Sequence, residues 1–124
     1  MTSTYLSAFT NQLEALGSEL TTIFPNDLDL KAAYKMISTL KKINPRRLLD
    51  FFNKYVIVYR DKILNKDETF FLDNEFNELS ENDSSISIIK QLKTHWNEMS
   101  TNSREATWNY FIVLVKLSDK ISKE

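Results

Sequence analysis

One glycine in 124 residues is the strongest constraint on this chain. Hairpins, bulges and phosphate-cradling loops rely on glycine for positive φ angles. With Gly17 alone and only Pro25 and Pro45 beside it as backbone punctuation, long helices joined by short polar loops are the economical solution. Phosphate loops and dinucleotide folds, which need several glycines, are excluded in practice.

The hydrophobic periodicity agrees. Leu6, Phe9, Leu13, Leu16, Leu20 and Ile23 recur at steps of three and four, and Pro25 ends that helix. Asn26 or Asp27 can cap a second helix, with Leu30, Ala33, Met36 or Ile37, Leu40 and Ile43 inward. Asn44-Pro45 predicts an N-cap and first position for a third helix reaching about Leu64, with Leu48, Phe52, Tyr55, Tyr59 and Ile63 inward. The β-branched run Val56-Ile57-Val58 argues for a strand, but the periodic pattern on both sides outweighs it. Lys66 to Asp83 reads as a short helix carrying Phe70, Phe71, Leu72, Phe76 and Leu79, then an exposed loop over Ser80 to Asp83.

A further helix is expected from Ser84 or Ser85, with Ile86, Ile89, Leu92 or Lys93, Trp96 and Met99. Asn102 and Glu105, spaced as an N-cap and its N3 partner, predict a last one. Trp108 to Leu117 is apolar on almost every face, which predicts a buried C-terminal helix, and Ser118 to Glu124 is expected to fray. The expectation is an all-α bundle of about five to six helices in one domain, residues 1–124. Apolar residues make up 42% and aromatics 12% of the chain, enough for one core.

Function is less legible. There is no cysteine, which removes disulfides and thiolate chemistry together. The longest apolar run, Tyr110 to Val115, is far short of the roughly 20 residues a membrane span needs. The N-terminus has no basic region followed by an apolar one, so no signal peptide and an intracellular location are expected. The one histidine, His95, lacks a nearby nucleophile motif, and the residue three before it is Leu92 rather than the glutamate of a bundle di-iron site. A helix-surface or boundary histidine is the simpler reading. Asp73, Asn74, Glu75 and Asn77 loosely resemble a calcium loop but lack its central glycine. No catalytic residue, cofactor, metal or small-molecule substrate is therefore expected.

Charge is the remaining signal. The total is −1, yet Asp27 to Lys62 carries nine basic and four acidic side chains, and Ile63 to Asp83 one basic and seven acidic. Lys41, Lys42, Arg46 and Arg47 straddle a helix junction and can converge at one corner of the bundle. Such a corner suits an acidic protein partner, a phosphate backbone or a nuclear-import receptor, or is a solvated junction partly neutralised by the chain's own acidic stretch. In the acidic stretch, Phe70 and Phe71 either dock in a partner's groove or plug the chain's own core.

Asn44-Pro45-Arg46-Arg47, Phe52-Asn53-Lys54-Tyr55, Tyr59-Arg60-Asp61-Lys62-Ile63 and Asp67-Glu68-Thr69-Phe70-Phe71-Leu72 together resemble small helical proteins of large DNA viruses of algae and protists. The resemblance covers residues 44–78 and carries over no functional residue. It implies a virion or infection-associated interaction protein rather than a metabolic enzyme. The sequence thus points to a non-enzymatic module binding another protein or itself through Lys41, Lys42, Arg46, Arg47, Phe70 and Phe71. Nucleic-acid binding through the four basic residues is the alternative.

Overall fold

The computed structural model describes residues 4–72 and 87–124. The expected loop at Ser80 to Asp83, the apolar Phe76, Leu79 and Ile86, and the calcium-loop-like residues from Asp73 to Asn77 lie outside them, as does the Phe71 side chain. All described elements are helical: α1 (Thr4–Ile23), α2 (Leu28–Ile43), α3 (Pro45–Tyr55), a 3-10 turn (Ile57–Tyr59), α4 (Arg60–Leu64), α5 (Thr69–Leu72), α6 (Ser87–His95), a second 3-10 turn (Trp96–Glu98) and α7 (Thr101–Ser122). The chain is an all-α bundle in which α1 is packed by α2, α3 and α7, while α6 lies against α2 and α4 against α7.

The core follows from the stripes. Leu6, Phe9, Leu13, Leu16 and Leu20 of α1 and Leu48, Leu49 and Phe52 of α3 are all buried, and Phe9 stands edge-on to Phe52 with ring centroids 5.1 Å apart. The C-terminal helix α7 buries Trp108, Phe111, Leu114, Val115 and Ile121. Trp96 closes the far end, fully buried and T-stacked on Trp108 at 5.3 Å. Gly17 packs directly against the Tyr34 side chain of α2, since a β-carbon there would stand 3.0 Å from Tyr34 Cδ1. That contact, not a turn, is what the lone glycine serves.

Several expectations are corrected. The third helix does not run unbroken to Leu64. It ends at Tyr55, and Val56-Ile57-Val58 passes through a 3-10 turn before α4. Three β-branched side chains in succession crowd the preceding helical turn, and the break leaves Val56 buried and Val58 in water. The last helix is capped by Ser100, whose hydroxyl accepts from the Ser103 amide at 3.1 Å, so Asn102 lies inside the helix. Ser118 to Ser122 is helical rather than frayed. The Ser118 hydroxyl donates to Asn53 Oδ1 at 2.5 Å, and Asp119 accepts two bonds from the Arg60 guanidinium at 2.8 and 2.6 Å. The Arg60 bonds hold the Asp119 carboxyl below its usual range despite some burial. Ile23 and Ile43 are exposed instead of inward.

Candidate interaction surface

Burial and partners divide the described residues among the sequence-predicted contacts. Phe70 is withdrawn as a contact: it is completely buried, between Tyr59 at 5.4 Å and Phe111 at 6.0 Å, and so plugs the core. Lys41 faces α1, where its Nζ donates to Glu14 Oε1 at 2.9 Å, a bond that lowers the Glu14 pKa. Lys42, Arg46 and Arg47 are exposed, and the Arg47 guanidinium carbon lies 5.1 Å from the centre of the Phe51 ring. With Arg46 and Arg47 in its first turn and no acid there, α3 begins with charges that oppose its dipole. Asn44 joins α2 to α3 through its backbone, donating to Leu40 O and accepting from Arg47 N. Its side chain makes no cap bond.

Beside these cations lies a feature the sequence reading missed. The inner side of α2 buries Leu30, Ala33, Ile37 and Leu40. Its outer side carries Leu28, Met36 and Ile43, which are 75%, 38% and 74% exposed. At about 100° per residue, Leu28, Ala32, Met36, Thr39 and Ile43 fall in one sector about 80° wide. Lys31, Lys35 and Lys42 occupy the adjoining sector, about 40° wide, and all three are exposed. None of these lysines forms an ion pair among the described residues, and neither does Arg46. The signal was available: Ile43 lies about 140° around the helix from Leu30, too far to share its buried stripe.

This face is braced from behind by a polar junction. Asp27 caps α2 by accepting from the Leu30 amide at 3.0 Å with one carboxylate oxygen. With the other it bonds His95 Nε2 at 2.5 Å. Burial pushes the Asp27 carboxyl up, but the bonds from His95 and the Leu30 amide outweigh it and leave the pKa lowered. His95 in turn stacks on Phe24, with ring centroids 3.9 Å apart and planes 12° from parallel. Together with Ile23, Pro25 and Asn26 these residues line an open cleft of about 400 Å³. His95 thus joins the end of α6 to the start of α2, and its spare nitrogen faces Glu98 at 3.7 Å. Among the described residues no group of three or more His, Asp or Glu could hold a metal ion. No helix among them is long and apolar enough to cross a membrane.

Compared with known proteins, the chain matches no family model, no curated protein and no solved structure.

Proposed function

We propose that this chain is a non-enzymatic protein-interaction module, whose contact surface is the outer side of α2 continued by Arg46 at the start of α3. The observation that carries this reading is the exposure of Leu28 and Ile43, 75% and 74%, on one side of a helix clamped at both ends. Leaving two large aliphatic side chains in water forfeits roughly 1.5–3 kcal/mol apiece of the stabilisation that burial gives. A partner that covers them recovers it. The resemblance of residues 44–78 to small helical viral proteins favours an interaction role, in a virion or in infection, over metabolism.

Nucleic-acid binding is the second reading, because Lys42, Arg46 and Arg47 stand exposed at the corner. Two observations count against it. Lys41 is already neutralised by Glu14, and a phosphate backbone has no use for Leu28 and Ile43.

Crosslinking separates the two. A photo-reactive residue at position 43 should give discrete protein adducts in an extract of the native source, competed away by excess unlabelled chain. The same label at position 113, on the exposed side of α7, should not. Equal labelling at both positions would overturn the protein reading. Binding to a DNA duplex with a log–log salt slope near −3, abolished by Arg46→Glu with Arg47→Glu, would replace it with the nucleic-acid one.

A further inference from the structure

We infer that the partner segment is an acidic amphipathic helix of about four turns lying along α2, an inference that rests on the interaction reading above. The length comes from the face itself. Leu28 to Ile43 spans fifteen steps, about 22 Å at 1.5 Å per residue. Apolar anchors stand at both ends and Met36 between them, the spacing that a helix offering one residue per turn or two can match.

The charge comes from the lysine edge. Lys31, Lys35 and Lys42 flank the apolar sector on one side only. On the other side Asp29 is the one acid in the whole of α2. A helix that buries its apolar stripe against Leu28, Met36 and Ile43 therefore meets three cations along one of its own edges. Carboxylates there gain attraction and fix which way round the helix lies, whereas lysines or arginines are repelled.

The same asymmetry disfavours a second copy. Two α2 helices packed face to face and antiparallel across a two-fold axis bring their lysine edges to the same side, six cations together. Packed in parallel, each lysine edge meets the opposite edge of its mate, where Asp29 is the only acid. Neither arrangement neutralises the lysines, and an acidic partner does.

Two synthetic 18-residue helical peptides test this, sharing a leucine stripe and flanked by glutamate in one and lysine in the other. Fluorescence polarisation at about 0.1 M salt should give the glutamate peptide at least a tenfold tighter Kd, three partly screened ion pairs being enough for that ratio. The variant Lys31→Glu, Lys35→Glu, Lys42→Glu should reverse the order while its circular dichroism stays helical. Leu28→Asp with Ile43→Asp should abolish binding of both peptides. Equal affinity for the two peptides, or an order that the triple variant leaves unchanged, would overturn the inference. So would concentration-dependent self-association removed by Ile43→Asp, or binding to vesicles with 30% anionic lipid that Leu28→Asp with Ile43→Asp removes. The failures are distinguishable: competed adducts at position 43 without peptide discrimination defeat the acidic helix alone. Absence of any adduct there defeats the interaction reading as well.

Discussion

Helices α2 and α7 are both amphipathic and both pack on α1, yet they handle surplus apolar surface in opposite ways. Over its 22 residues α7 buries Trp108, Phe111, Leu114, Val115 and Ile121, and Tyr110, Ile112 and Leu117 also pack against the core. Only Val113 among its large apolar residues is substantially in water. Over 16 residues α2 buries four and leaves Leu28, Met36 and Ile43 outside. The difference is one of neighbours. With α1 along one flank and α4 on another, α7 has its apolar sectors covered by its own chain. The outer sector of α2 faces away from α1, α3 and α6, the helices that cover its inner side. Among the described residues, apolar side chains left this exposed contribute little to folding through burial.

The sharpest way to break that contrast is to remove a side chain from α7. Phe111 is buried against Phe70 at 6.0 Å, edge to face. Phe111→Ala should cost about 3–5 kcal/mol by the cavity it leaves, read as a lowered midpoint in urea with little change in slope. A loss below about 1 kcal/mol would mean that α7 does not carry the core.

Much of this was legible in the sequence. The stripes of α1 and α7, the Asn44-Pro45 junction and a cap at Asn26 or Asp27, which the structure resolves to Asp27, follow from local pattern, because each depends on near neighbours in sequence. What escaped depended on distant partners. Ser118 to Ser122 is fixed by Asn53 and Arg60, more than fifty residues away, and a tail of polar residues gives no sign of such anchors. Ser100, Thr101, Asn102 and Ser103 are four possible caps in a row, and the choice of Ser100 is made once Met99 is drawn into the core. The break at Val56 was signalled by its β-branched run, which periodicity alone overrode. Of the contact surface, the charges could be read. The exposure of Ile43 could also have been, had its angular position been weighed against Leu30.

A middle-sized effect comes from the latch behind α2. Asp27→Ala removes both the cap to Leu30 and the partner of His95, and should lower stability by about 1–2 kcal/mol. Asp27→Asn keeps a good cap and loses only the charge. Because the Asp27 pKa is lowered from its ordinary 3.8, the unfolded chain binds the proton more readily than the folded one. Its contribution is therefore fully present above about 3.8 and is lost as pH falls through the folded value. Urea midpoints measured from pH 5 down to pH 2 should fall less steeply in Asp27→Asn than in the parent. Parallel curves would show that the Asp27 charge adds nothing to the fold.

The smallest effect is the most informative about α2. If its outer residues have no role in folding, Ile43→Asp and Leu28→Asp should each change the unfolding free energy by no more than about 0.5 kcal/mol, as surface substitutions do. Ile43→Asp places an acid in the last turn of the helix, where it opposes the dipole, so its change should lie on the destabilising side. Leu28→Asp adds a negative charge in the first turn of α2, where an acid is favoured, so its change should lie on the stabilising side. The same two variants are the ones expected to abolish peptide binding, and that pairing is what separates a docking face from a structural one. Loss of more than about 2 kcal/mol in either would place the residue in the fold. The contrast with α7 would then collapse, because both helices would be using all of their apolar surface for the same purpose.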